Sequence, residues 1–284
     1  MGDVPTTGQL GVLIAAMLVL LTGLFSSLRR WRLETRDPTL ASASPYRVIS
    51  KICLYAGTID CIGVLIWHSH ARGSWQPLED NFGAFLWLAV LLSLFIIYTQ
   101  RAHPLRGLDF FILPVVLLLL VLAIVFGKTK PHEYQETTWS IVHRVTAYGG
   151  FVAFAIAGAV GGMYLFANRR LRHKKLLPGQ GFGSLERLEH ITLMSVTLGF
   201  ALLTVGLVTG LFRVLDPRRP NSLGPDWYRN PKVVLACVAW IVYALVLHSP
   251  INPAFRGRRT ALLSVLGFVL MIGTFVAVQF MPGK

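Results

Sequence analysis

Apolar runs of about 18 residues or more recur along the whole chain, and no polar stretch between them is long enough to build a second core. Eight segments are long enough to cross a bilayer as helices: Gly8 to Leu28, Arg47 to Ala71, Asp80 to Gln100, Leu108 to Gly127, Trp139 to Asn168, Glu186 to Val214, Lys232 to Ser249 and Thr260 to Phe280. The pattern predicts an all-α fold: a polytopic transmembrane bundle of eight helices, forming one domain over 1–284. An even number of crossings puts both termini on the same side.

Composition supports the bilayer as the main solvent. The chain is 54% hydrophobic and 14% charged, with a mean hydropathy of +0.59, which excludes an ordinary soluble enzyme. Lys and Arg outnumber Asp and Glu by 27 to 13, for a net charge of +14. The loops after the first, third, fifth and seventh segments, with Arg47, Lys51 and Arg187, hold 17 of the 27 basic residues. By the positive-inside rule these loops face the cytoplasm and both termini lie outside, as expected for a multi-pass protein of the inner (plasma) membrane. The charge excess thus points to loops and anionic lipid rather than to nucleic acid. One outer loop breaks the rule, since Arg213, Arg218, Arg219, Arg229 and Lys232 place five cations there.

Cys53, Cys61 and Cys237 lie in apolar segments without a C-x-x-C spacing, and are expected to be packing residues rather than redox centres. The N-terminal MGDVPTTGQLG carries no Lys or Arg before the first apolar run, so that run is expected to remain as a helix rather than serve as a cleaved leader. Gly158 and Gly162 form one G-x-x-x-G and Gly206 and Gly210 another, which predicts that the fifth and sixth helices pack together. Pro114 is expected to kink the fourth helix. No internal repeat is found.

Polar groups at membrane depth persist where they are paired, solvated or used. At about 1.5 Å per helical residue, His143 lies roughly 6 Å into the fifth helix from its outer end, and His68 about 31 Å beyond Arg47, near the outer end of the second. His190 lies about 6 Å into the sixth helix from the inner side, and His248 about 24 Å beyond Lys232, near the inner end of the seventh. Each pair can share a depth. Two neutral imidazoles from different helices are what a six-coordinate haem iron requires, and an apolar bundle supplies walls for the porphyrin. Zinc would need further ligands that the cysteines are not spaced to give. The plainer alternative is that each histidine bonds a neighbour or reaches the headgroup zone. His70 is a wetter substitute for His68, and His103, His132 and His173 fall in loops or at their edges. Asp60, about 20 Å into the second helix, either orients a histidine, carries protons or holds the bundle together.

Several stretches resemble the cytochrome c assembly family, in particular its CcsA and HemX-like (YpjD-like) members. HITLMSVTLGFALLTVGLVTG contains a G-F-x-L-L-T-x-G pattern; GPDWYRNPK resembles the end of a Trp-rich outer loop; VVLACVAWIVYALVLHS ends in a histidine within L-H; and FRGRRTALLSVLGF follows. WSIVHRVTAYGGFVAFAIAGAVGGMYLF resembles the helix that opens with an outer histidine, and GSWQPLEDNFGAFLWLA the segment with P-L-x-N. The resemblance implies that His143 is an outer haem ligand and His248 a transmembrane one, with haem b as cofactor. The Trp-rich loop is reduced here to Trp227, with Arg229 and Asn230 where a second Trp and an Asp would stand. The chain ends QFMPGK without the outer histidine that synthase members carry, which leaves His68 as candidate replacement.

The resemblance also gives the basic outer loop a role, because haem propionates are carboxylates that arginine binds bidentately. Arg144, Arg218, Arg219 and Arg229 are candidates, against lipid phosphates or a partner protein as their alternative contacts. Trp227 is expected to stack on a porphyrin or to anchor in the membrane interface. The implied function is haem handling in cytochrome c biogenesis by bis-His ligation, not as an enzyme alone but as an accessory subunit of a cytochrome c synthase system, with haem, an apocytochrome or a companion subunit and lipid as partners. The alternatives are a HemX-like regulator of tetrapyrrole synthesis acting through a cytoplasmic partner, a proton or small-solute transporter built on Asp60, and a haem-free scaffold.

Overall fold

The computed structural model describes residues 5–36, 45–73, 80–102, 105, 107–127, 138–173, 184–215, 226–248 and 256–280. They form eight α-helices and one 3-10 turn: α1 Thr7–Arg36, α2 Tyr46–Arg72, α3 Asn81–Ala102, α4 Leu108–Phe126, α5 Thr138–Arg172, α6 Leu185–Leu215, the turn Trp227–Arg229, α7 Pro231–Leu247 and α8 Arg258–Phe280. No strand occurs among the described residues. The all-helical expectation therefore holds, with one helix for each apolar segment. Seven helices are long and apolar enough to cross a membrane; the apolar stretch of α7, Val233–Leu247, is shorter. The chain is a multi-pass membrane protein.

Local chemistry sets several ends. Thr6 and Gln9 make a reciprocal capping box at the start of α1: Thr6 N–H donates to Gln9 Oε1 at 2.9 Å and Gln9 N–H to Thr6 Oγ1 at 3.3 Å. Gly73 closes α2 with φ +69°, its N–H bonding the His70 carbonyl, a left-handed conformation that glycine adopts without a Cβ penalty. Pro231 opens α7 at a position whose missing N–H costs no helical bond.

The helices fall into two compact units. One comprises 1–132 with 169–184, the other 133–168 with 185–284. In the first, α1 and α2 form an antiparallel pair with heptad spacing on both strands. Positions 9, 13, 16, 20, 23 and 27 of α1 and 50, 54, 57, 61, 64 and 68 of α2 are all below 9% exposed and form the seam between the two helices. Two close approaches lie in this seam: a Cβ on Gly57 would meet Leu20 Cγ at 2.6 Å, and one on Gly23 would meet Cys53 Cβ at 3.0 Å and lie 3.9 Å from Leu54 N. At these two glycines the small residue admits its larger neighbour, as membrane helices require when lipid competes equally for apolar surface. α1 also packs on α4, α2 on α3, and α3 on α4.

At one end of this unit, Ser27 donates to Asp109 Oδ2 and Arg30 lies 4.0 Å from Asp109 Oδ1, which ties α1 to the first turn of α4. Arginines at the same end rest on aromatic faces: Arg29 over Phe25 and Tyr46, Arg101 over Tyr55, and Arg170 over Trp31. The second unit has an aromatic core in which Phe154 and Tyr243 stack with centroids 3.5 Å apart, and Gly199 and Gly267 back onto those two rings.

The glycine expectation divides. Gly206 and Gly210 do admit α5, since they face Thr146, Ala147 and His143. Gly158 instead faces Phe268 of α8, and Gly161 faces Ala261 and Ser264 of the same helix. Small residues mark where helices approach closely, but not which helix approaches.

Candidate functional site

His143 stands one turn into α5, half-buried in a recess on α6. Its Nδ1 lies 2.8 Å from the Gly206 carbonyl oxygen, with Thr209 Oγ1 at 3.5 Å. A Cβ on Gly210 would come within 3.1 Å of the ring at Cε1, so the recess exists because position 210 has no side chain. A carbonyl only accepts, so Nδ1 carries the hydrogen and the lone pair of the neutral ring sits on Nε2. This is the arrangement by which a backbone carbonyl fixes the tautomer of a metal-ligating histidine. Arg144, the next residue, is buried, and Trp139 one turn earlier meets Phe212 at 5.5 Å.

The stretch Gly199–Gly206 explains how α6 holds its neighbours. Gly199 seats Phe154 of α5; Phe200 lies 5.1 Å from Trp240 of α7; Thr204 Oγ1 accepts from Trp240 Nε1 at 3.0 Å; and Gly206 bonds His143. All four residues are named positions of the G-F-x-L-L-T-x-G pattern, and between them they touch Phe154, Trp240 and His143.

His248 terminates α7. Its Nδ1 lies 3.2 Å from the Ala244 carbonyl oxygen, which places its lone pair on Nε2 as well, and the residue is exposed. Counting from the Trp240–Thr204 bond, His248 lies about 12 Å and His190 about 21 Å toward the same end of the unit. The two therefore share an end, with His190, also exposed, about 9 Å further out. His190 and Gly206 are about 24 Å apart along α6, so His143 belongs to the opposite end. Beside His190, Glu189 Oε1 accepts from the Gly257 N–H at 2.8 Å and so anchors the turn that carries Arg256, Arg258 and Arg259.

His68 belongs to the first unit and is 2% exposed. Its Nε2–H donates to Asp80 Oδ2 at 3.0 Å, Arg72 Nη1 reaches Asp80 Oδ1 at 2.5 Å, and the Gly83 N–H also bonds Oδ2 at 3.0 Å. Phe82 presses edge-on against the imidazole at 4.8 Å. Burial works to raise the Asp80 pKa, but the bonds from His68 and the Gly83 N–H and the Arg72 guanidinium outweigh it and hold the carboxyl below the ordinary aspartate value. The His68 bond to Asp80 runs through Nε2, at the tip of the ring, whereas the backbone carbonyl bonds of His143 and His248 run through Nδ1, beside Cβ.

The remaining candidates divide as follows. Trp227 is half-buried in the 3-10 turn, 6.2 Å from Tyr228, and Arg229 is exposed over the Tyr228 ring. Arg218 and Arg219 lie outside the described residues. Asp60 is half-exposed on α2. No group of three or more His, Cys, Asp or Glu placed to hold a metal ion occurs among the described residues. Sequence reasoning missed Asp80 and Asp109 as partners and Gly210 as the recess-former. The signal available was an acidic residue at the start of an apolar helix, which a neighbouring helix must answer with a cation or hydroxyl.

The family described as Cytochrome C assembly protein matches residues 75–283. The cytochrome c biogenesis protein CcsA of Prochlorococcus marinus (strain MIT 9312) is 24% identical over 234 residues, covering 72% of this chain and 73% of that protein. CcsA of Mesostigma viride is 21% identical over 237 residues, covering 72% and 74%. CcsA of Guillardia theta is 30% identical over 118 residues, covering 42% and 38%. No solved structure matches the chain. His143, His190 and His248 fall within the matched residues, and His68 precedes them.

Proposed function

The chain belongs to the cytochrome c assembly protein family, and we propose that within cytochrome c biogenesis it binds haem b through histidines and presents it for transfer. The observation that carries this reading is the tautomer of His143, held by the Gly206 carbonyl with its lone pair on Nε2. Haem, when bound, would supply an iron that imidazole nitrogens can ligate and two propionates that cations can hold.

The protein's own residues divide that work. His143 is the ligand at one end of the second unit, and His248 with His190 serve the other. Arg144 and Arg229, with Arg218 and Arg219, hold propionates by charge-assisted bonds, and Trp227 packs beside the ring. His68 is left out of the ligand set because Asp80 engages its Nε2. The buried aromatic rings of α5 and α7 keep water from the bundle interior. A companion synthase subunit or an apocytochrome receives the haem, in the inner membrane with both termini outside, and that partner supplies the thiols.

The test is an absorption spectrum of the detergent-purified protein, oxidised and reduced, with a pyridine haemochrome count for the wild type, His143→Ala and His248→Ala. Selective loss of the Soret band in either variant supports ligation at that end. A folded wild type that neither retains nor takes up haem sinks the proposal.

A further inference from the structure

Arg101, exposed in the last turn of α3, is held on the face of Tyr55 of α2. Its Cζ lies 5.5 Å from the ring centroid and its Nε–H donates to the phenol oxygen at 3.1 Å. That bond occupies Nε and leaves both Nη groups, the edge that grips a phosphate through paired bonds, without a partner among the described residues. Lys51 is also exposed and without a partner among the described residues. It stands one turn from Tyr55 on the same face of α2, a spacing that puts the two Cβ atoms about 6 Å apart. Helical side chains lean toward the N-terminus of their helix, so Tyr55 carries Arg101 toward the turn of Lys51.

The carboxylates described in this unit do not answer these two cations. Asp80 and Asp109 are buried and engaged by His68, Arg72, Ser27 and Arg30. Asp60, nine residues beyond Lys51, is turned about 180° round α2 and lies about 14 Å further along it. The surface next to the cations is apolar: Leu91, Leu94 and Tyr98 recur with Arg101 at helical spacing along one exposed face of α3, and Ile52 and Ile59 are exposed on either side of Tyr55 in α2.

We propose that Lys51 and Arg101, with Tyr55 between them, hold the phosphate of an anionic phospholipid whose acyl chains lie on these apolar residues. Charge and hydropathy together select the ligand. Two cations without a carboxylate favour an anionic headgroup over a zwitterionic one, whose own ammonium would be repelled. The adjoining apolar face offers a free phosphate or an acidic protein segment nothing, but it receives acyl chains. The Tyr55 hydroxyl fixes the guanidinium in advance, so less side-chain freedom is lost on binding. The inference rests on the first unit alone and stands whether or not haem is bound.

Native mass spectrometry of the full chain, released from detergent micelles holding equal amounts of phosphatidylglycerol and phosphatidylcholine, tests it. The wild type is expected to retain phosphatidylglycerol preferentially. Arg101→Gln and Lys51→Gln should each lower that bound fraction several-fold, and Tyr55→Phe should lower it too although the net charge is unchanged. Arg258→Gln, which removes an exposed arginine from the second unit, should leave it as in the wild type. Equal retention of the two lipids would overturn the proposal and leave the patch to an acidic partner. An equal loss in Arg258→Gln, or displacement of the lipid by inorganic phosphate at the lipid's own concentration, would overturn it as well. Should Arg101→Gln fail to fold, Lys51→Gln carries the same comparison.

Discussion

His68 and Asp80 sit on either side of the α2–α3 connection, joined by a 3.0 Å hydrogen bond at 2% and 6% residue exposure. Together with Arg72 they tie α2 to the start of α3. At the other end of the same unit, Ser27 and Arg30 tie α1 to Asp109 at the start of α4. Each end of the α1–α2 hairpin is thus fastened to a carboxylate within the family-matched residues.

Replacing Asp80 with Asn removes the charge that answers Arg72 and the strongest acceptor for His68. Breaking one partner of a buried pair costs about 3–5 kcal/mol. Asp80→Asn should therefore lower the midpoint of thermal unfolding in detergent markedly. A shift within error of the wild type would show that the fastening is not stabilising.

The same carboxylate gives a pH signature. Its pKa is depressed in the fold, so its contribution is present above the unfolded aspartate value of about 4 and is lost as pH falls through the lower folded value. The stability difference between wild type and Asp80→Asn should be level from neutral pH down to about 5 and shrink below about 4. Unfolding midpoints taken across that range check it, and a gap that widens on acidification would contradict the assignment.

Gly210 faces the His143 ring, and a methyl group there would sit 3.1 Å from Cε1. Gly210→Ala should displace the imidazole at an overpacking cost of about 1–3 kcal/mol. Haem retention should fall while helix content is kept. Gly206→Ala, whose nearest atom would be Thr146 Oγ1 at 3.4 Å, is the milder control.

Thr204→Val removes the acceptor of the Trp240 indole N–H, a 3.0 Å bond between α6 and α7. The expected loss is about 1 kcal/mol, read as a small drop in the unfolding midpoint with a red shift of tryptophan fluorescence. Trp240→Phe should cost a similar amount, and the two together little more than either alone, since one bond is removed in each case.

The eight helices were legible in the sequence because bilayer thickness acts on local composition: each apolar run is long enough, or in α7 nearly so, to cross. The histidines near helix ends, the close approach at Gly206 and Gly210 and the family pattern on α6 were legible for the same reason. Helix rotation and neighbour order were not. Ile59, Val48 and Leu54 read alike as apolar, yet the first two are 65% and 58% exposed and the third 1%. In lipid both faces of a helix are apolar, so the periodicity that marks the buried side of a soluble helix is faint. Only the tertiary structure decided that Gly158 receives α8, and that His68 bonds Asp80 while His143 bonds a backbone carbonyl. Those outcomes depend on which side chains two helices bring to one depth and one face, which no single segment encodes.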